Sequence, residues 1–206
     1  MDDLVLSGPT LRLRIPRRED AARLFELGSD PEVTRWFSWG PYSVQAEAEA
    51  YLDRLPAQRE RGEQLDLVCE HHVAGVVGIT GLSEFSRRDR RAIVGTWFGR
   101  PWWGTGANRE SKALICHLGF ALLGLDRIGS YANVEHLRSQ RALEGVGFRR
   151  EGVLRGWHRH GDRLLDVVVV GMLRSDWEQG PLRDVPVSVT GAPPAEFVLG
   201  ESGTPA

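Results

Sequence analysis

The sequence predicts a mixed α/β domain, one open sheet with most of its helices packed against it. Three observations lead there. Runs with strand alternation and runs with helical spacing succeed one another along the first 177 residues. They interleave as strand, helices, three strands, helix, strand, helix and two strands, an order that suits a single mixed sheet. The run Ala92–Phe98 reads as a strand, and it feeds a glycine-containing turn and then a long helix.

Leu11–Ile15 alternates apolar and charged residues, as a half-buried strand does. Pro16–Asp20 turns into a first helix that stops near Gly28. Pro31–Phe37 forms a short second helix, broken by Ser38–Tyr42. A third, Val44–Glu60, offers Ala46, Ala50, Leu52 and Leu55 as its inner stripe. Leu65–Glu70 and Val73–Thr80 are strands with His71 and His72 at the hairpin between them. A charged loop, Ser86–Arg91, precedes the strand Ala92–Phe98. The long helix Asn108–Leu123 has Ala113, Leu114, His117, Leu118, Ala121 and Leu122 to face the sheet. Arg127–Ala132 is a strand, Leu137–Glu144 a helix ending at Gly145, and Glu151–Trp157 and Leu164–Leu173 a final hairpin. Val167–Val170 marks the last strand as central and packed. Residues 1–177 make one domain. Residues 178–206, rich in proline and glycine, make a tail that is flexible or packed at an edge or interface, and Val185–Val189 would supply an edge strand.

The turn Gly99–Ala107 carries the first chemical signal. A strand, a glycine turn and a helix N-terminus leave backbone N–H groups without partners, and such groups hold a pyrophosphate. A phosphate-bearing cofactor is therefore expected. Charge narrows the partners further. With 26 basic against 28 acidic residues the formal net charge is -2, without the basic excess of a nucleic-acid binder. Charges break every long apolar run, so no membrane span is expected. Met1-Asp2-Asp3 lacks the basic start of a signal peptide, which leads to a cytoplasmic expectation. Cys69 and Cys116 sit in apolar runs and read as small buried hydrophobes. His71, His72, His117 and His160 lack metal-ligand spacing, so no metal is expected.

Four signatures in order then carry a resemblance. They are Leu11-Arg12-Leu13-Arg14 with Arg18-Glu19-Asp20 and Asp30-Pro31-Glu32-Val33; Trp103-Gly104-Thr105-Gly106 leading to Glu110; Ser139-Gln140-Arg141 through Gly147-Phe148; and Glu151-Gly152-Val153-Leu154-Arg155 with Asp166 and Asp176-Trp177. Together they resemble the Gcn5-related N-acetyltransferases, in the branch similar to the ribosomal-protein N-terminal acetyltransferases. The likeness spans about Leu11 to Trp177. It implies an open-sheet acyl-CoA N-acyltransferase domain with a splayed central strand pair, Ala92–Phe98 and Arg127–Ala132. It also implies transfer of acetyl from acetyl-CoA to a primary amine by direct attack in a ternary complex. Pantetheine would lie along the opened strand edge as if it were another strand.

On that resemblance the amides of Gly104, Thr105, Gly106, Ala107 and Asn108 would meet the pyrophosphate, and Arg100 and Arg109 would assist. An ordinary tight turn with solvated charges is the plainer reading. Pro101 stands where the family often has glutamine or arginine. Phe98 and Gly99 would offer backbone groups to pantetheine, and a backbone N–H of either would serve as oxyanion donor. Trp102 and Trp103 read as packing. Ser139 would donate to the leaving thiolate, against the alternative of a serine satisfying its own helix. His136 replaces an asparagine of the branch and would bond the pantetheine amides, with Asn133 in support. A base for the incoming amine would be His158, His160 or Glu84, directly or through water. Asp166 would pair with Arg155 or Arg163, or else recognise a cationic acceptor.

The acceptor stays open among a protein or peptide N-terminus, a small amine (polyamine, amino acid or antibiotic), and none at all in a CoA-binding module. Trp36, Phe37, Trp39 and Tyr42 would line one side of its site. An open slot favours a peptide, and a closed acidic pocket favours a small cation. Dimers are common in the resembling group, and the aromatics and the tail would be interface material for a homodimer.

Overall fold

The computed structural model describes residues 4–200. Met1–Asp3, read above for targeting, and the tail end 201–206 lie outside the described residues. Nine strands form one sheet: β1 Val5–Ser7, β2 Leu11–Arg14, β3 Gln64–His71, β4 Gly75–Ser86, β5 Arg91–Phe98, β6 Arg127–Asn133, β7 Arg149–His160, β8 Arg163–Leu173 and β9 Ser188–Thr190. Their order is β7-β8-β6-β5-β4-β3-β2-β1-β9. Every neighbouring pair is antiparallel except β5 and β6. β8 lies between β6 and β7, as the valine run required, with Val167, Val168 and Val170 buried. The fold class is the one expected: an open mixed sheet with a splayed parallel pair at its centre.

Helices cover both faces. On one lie α1 (Ala21–Gly28) and α3 (Gln45–Glu60), packed on Val68, Val76 and Ile79. α4 (Ala107–His117) crosses the other face, over a core that includes Leu65, Leu67 and Cys69. α2 (Pro31–Thr34) starts at Pro31 and is capped by Asp30, whose carboxylate accepts the Glu32 N–H at 2.9 Å. α5 (Leu137–Glu144) follows β6, and α6 (Arg174–Gln179) follows β8.

The recurring charged residues at the start of the chain prove to be struts. Arg14 is nearly buried and grips Asp20 with both terminal guanidinium nitrogens, at 2.9 and 2.7 Å, while its Nε reaches Glu70 at 2.5 Å. Arg12 and Arg14 together hold the Glu70 carboxyl down to about 2. Glu110, on α4, accepts from the Thr10 and Leu11 backbone at 2.7 and 2.8 Å and so ties α4 to the β1–β2 turn.

Several expectations are corrected. The inner stripe of α3 is Ala48, Leu52 and Leu55, and Ala46 and Ala50 are exposed. The long helix is α for only 11 residues and then turns as a π-helix over Leu118–Leu122. That wider turn rotates the buried face, so Phe120 and Leu123 are fully buried while Ala121 is exposed and His117 and Leu122 are only half-buried. Asp166 pairs with no arginine among the described residues; its carboxylate accepts the Gly156 N–H at 2.7 Å. In the tail, Ser188–Thr190 forms β9 on the free edge of β1, and Phe197 is buried against Phe85.

Candidate active site

β5 and β6 share a register only at Arg91/Arg127, Ala92/Ile128 and Ile93/Gly129. Beyond that point both strands continue without pairing each other. Buried Ser130 marks the fork: its hydroxyl donates to the Val94 carbonyl at 2.9 Å, which replaces the next backbone bond. On the other edge of β5 the Gly99 N–H donates to Val77 O at 3.0 Å. Backbone direction alternates along a strand, so Gly95, Trp97 and Gly99 face β4, and Val94, Thr96 and Phe98 face the gap. Of the two N–H groups expected as oxyanion donors, that of Phe98 faces the gap, and that of Gly99 is spent on β4. The Phe98 carbonyl accepts the Trp103 indole N–H at 2.9 Å, which folds the turn back over the strand end.

A cleft of about 440 Å³ fills the gap. Its walls include Thr96–Phe98, Trp102 to Gly104, Gly106, Asn108 and Lys112 on the β5 side, and Ser130 to Asn133, His136, Arg138, Ser139 and His158 on the β6 side. Gly104 and Gly106 have φ of +76° and +94°, a region that favours glycine, and a Cβ at either would meet nothing within 4 Å. The turn thus presents open backbone, a fit for phosphate. Thr105 braces it by donating to Trp102 O at 2.9 Å, and Ala107 is buried as the first residue of α4. Arg109 turns away and donates to Pro181 O at 3.3 Å. Arg100 is exposed and off the cleft wall.

On the β6 side, Asn133 is mostly occupied. Its Oδ1 accepts the Glu135 N–H at 2.8 Å and its carbonyl accepts from Gln140 at 2.9 Å. These bonds shape the loop that delivers His136 and α5. His136 stacks on Trp36, with ring centroids 5.2 Å apart. Burial first, then Arg138, pushes its pKa down to about 4, so the ring is neutral at pH 7. Its Nε2 is buried and has no partner among the described residues. Ser139 is half-buried on the wall, and no hydrogen bond holds its hydroxyl among the described residues. The Arg138 guanidinium lies 3.5 Å over the Trp103 ring, so the two sides of the cleft meet there.

His158 lies on the wall beside Tyr131, with ring centroids 5.9 Å apart, and stacks on His160. Glu84 is exposed at a bulge of β4 with φ +50° and is absent from the wall; the Tyr131 hydroxyl donates to it at 3.3 Å. Trp36 and Phe37 reach the cleft as expected, whereas Trp39 and Tyr42 pack behind them with Trp97.

Sequence reasoning missed Lys112. It is 3% exposed, and its Nζ donates to Thr96 Oγ1 at 2.5 Å. Desolvation lowers its pKa to about 8. Its neighbours Cys69 and Cys116 are inert buried thiols, the latter pushed up to about 12 by the same burial. Asn108 and Lys112 are four apart and share a helix face, but the sequence does not mark that face as one a strand covers.

The comparisons with known proteins agree with this geometry. A family profile described as an acetyltransferase (GNAT) domain matches residues 10–149. The chain belongs to the GNAT acetyltransferases. It is therefore an acetyl-CoA-dependent acetyltransferase. Among relatives, the uncharacterized N-acetyltransferase p20 of Bacillus licheniformis is 28% identical over 169 residues, covering 81% of this chain and 94% of its own. The structure of Mycobacterium smegmatis RimJ in complex with CoA-disulfide superposes with a TM-score of 0.79 at 22% identity, over 88% of this chain and 92% of that one. Spermidine N-acetyltransferase from Vibrio cholerae, in complex with CoA and spermine, follows at 0.71 and 22%, over 82% and 98%. At these identities both structures show the fold alone. Among the described residues of this GNAT domain, no helix is long and apolar enough to cross a membrane, and no group of three or more His, Cys, Asp or Glu side chains forms a metal cluster.

Proposed function

We propose that this GNAT acetyltransferase acetylates the N-terminal amine of a protein or peptide, in the branch similar to the ribosomal-protein N-terminal acetyltransferases. One observation carries the reading. Among the described residues that line the cleft there is no Asp or Glu, and the charged or titratable members are Lys112, Tyr131, His136, Arg138 and His158. A polyamine carries several positive charges and finds no counter-charge there. An N-terminal amine, with a pKa near 8, is partly neutral at pH 7 and needs none.

Residues 1–177 carry the chemistry in this reading. The open amides of the Gly104–Asn108 turn hold the cofactor's phosphates, and the gap-facing edge of β5 orients its pantetheine arm. His158 takes the proton from the amine as its nitrogen bonds to the thioester carbon. The Phe98 N–H stabilises the oxyanion that forms. The C–S bond then breaks, and Ser139 donates a hydrogen bond or proton to the departing thiolate. Neutral His136 presents one ring nitrogen to the pantetheine amides, in place of the branch's asparagine. Positioning supplies most of the rate, with no covalent intermediate on the enzyme.

Thiol release from acetyl-CoA, measured with N-terminal peptides, polyamines and amino-bearing antibiotics, tests this. Selective turnover of peptides is expected. Turnover of polyamines alone would sink the reading.

A further inference from the structure

A second cavity of about 410 Å³ adjoins the first and shares Trp36, Phe37 and Asn133 with it. Its wall is different in kind. Arg35, His160 and Arg163 line it against a single carboxylate, Glu135. Arg35 lies over the Trp36 ring at 5.1 Å, and among the described residues its one ion pair is a loose 3.8 Å contact with Glu32, while Arg163 makes none. Thr34 lines the same cavity. It is 3% exposed, yet its hydroxyl has no hydrogen-bond partner among the described residues. A buried hydroxyl without a partner is costly. The donors here therefore outnumber the acceptors, with two planar guanidinium forks among them. Such forks match carboxylates in a two-point geometry.

We infer that this cavity is an acceptor subsite for a carboxylate, so that the preferred substrate bears an acidic group close to the amine it presents to the first cleft. The inference rests on the proposed transfer to an amine at that cleft, and it names the acceptor's chemistry. Trp36 and Phe37 form the partition between the two cavities, so the amine lies on one side and the carboxylate on the other. Two sources supply the same chemistry: an acidic side chain near a peptide's N-terminus, or the carboxylate of a free amino acid.

The test is a matched set of acceptors with the full chain and acetyl-CoA. It comprises peptides with Asp, Ala or Lys at the second and third positions, and free amino acids beside their amides. Acidic peptides should exceed neutral ones about tenfold in kcat/KM, with lysine peptides below both. Arg163→Gln and Arg35→Gln, each on the surface, should each cut the acidic-to-neutral ratio several-fold, and Arg163→Glu should reverse the order of acidic and lysine peptides. Equal rates for acidic and neutral acceptors would overturn the inference and leave peptide acetylation standing. Turnover of amino acids over their amides, with no peptide accepted, would keep the carboxylate subsite and sink the peptide reading. No turnover of any member of the set would overturn both.

Discussion

Ser139 and Lys112 face the same cleft and differ in what holds them. The Ser139 hydroxyl has no partner among the described residues, so its removal disturbs no fold-holding bond. A donor aimed at a leaving thiolate contributes about 1–3 kcal/mol in the transition state. Ser139→Ala is expected to lower kcat about tenfold or more with an unchanged melting temperature and little change in KM for acetyl-CoA. Steady-state kinetics beside a thermal melt read both, and an unchanged kcat would remove Ser139 from the chemistry. Lys112 is held by burial. Its pKa falls from 10.5 to about 8, so the unfolded chain binds more protons between those values and stability rises with pH across that window. Below about pH 8 the buried ammonium costs roughly 3 kcal/mol relative to a free lysine. Lys112→Met is expected to be more stable at pH 7, by about 1–3 kcal/mol, and to lose the wild-type gain between pH 8 and 10. Denaturant midpoints of both proteins at pH 7 and 10 measure it; parallel pH curves would refute it. The glycines were legible as a turn before a helix, and Ser139, His136 and His158 only through the resemblance, which put them where they now line the cleft. Lys112 was not, because a lysine reads as surface until a strand is laid across it. Arg109 was misplaced for the same reason: its partner, the Pro181 carbonyl, lies 72 residues away.

At the scale of elements, the strand-turn-helix unit from β5 to α4 is the most informative, and it was readable end to end. The apolar run Ala92–Phe98 with its β-branched residues, two glycines and the apolar-spaced run after them each speak locally. The splay itself was only implied by resemblance, since pairing that stops at Ile93/Gly129 depends on Ser130 meeting Val94, 36 residues apart. Other elements escaped because their cause is not local. β1 has three residues and exists through its neighbours, and the π-turn after His117 changes which side chains a helical wheel buries. The α4 turn has its own test. Gly106 sits at φ +94° with open space in front, so an added methyl acts through the backbone alone. Gly106→Ala is expected to cost about 1–2 kcal/mol if the turn keeps its shape. If the backbone relaxes instead, the amides leave their positions. Either way the KM for acetyl-CoA should rise several-fold while the preference among acceptors holds, since the proposed acceptor side lies on the segment after α2 and on β7–β8. A changed acceptor order with an unchanged acetyl-CoA KM would contradict the division of the cleft.

For the whole molecule, the segment after α6 decides whether the first 177 residues stand alone. Its composition suggests a loose end, yet the described part is fastened along its length. Leu182 is buried, β9 extends the sheet past β1, and Phe197 is 2% exposed in a pocket shared with Phe85. The Leu199 N–H donates to Leu123 O at 2.9 Å, and Arg90 donates to Gly200 O at 3.1 Å. The strap thus runs from the end of the long helix to the far edge of the sheet. It also closes the edge that β1 would otherwise leave open to another chain. Emptying the Phe197 pocket alone costs about 3–5 kcal/mol. At about 2–4 °C per kcal/mol for a domain of this size, a chain ending at Asp184 should melt about 10 °C lower. It should also associate through the bared β1 edge. Differential scanning calorimetry and sedimentation of the shortened and full chains decide the matter. An unchanged melting temperature would mean that residues 185–206 are an appendage and that the catalytic part is complete without them. A drop of the expected size, with thiol release preserved below the new melting point, would place the strap in the fold and outside the chemistry.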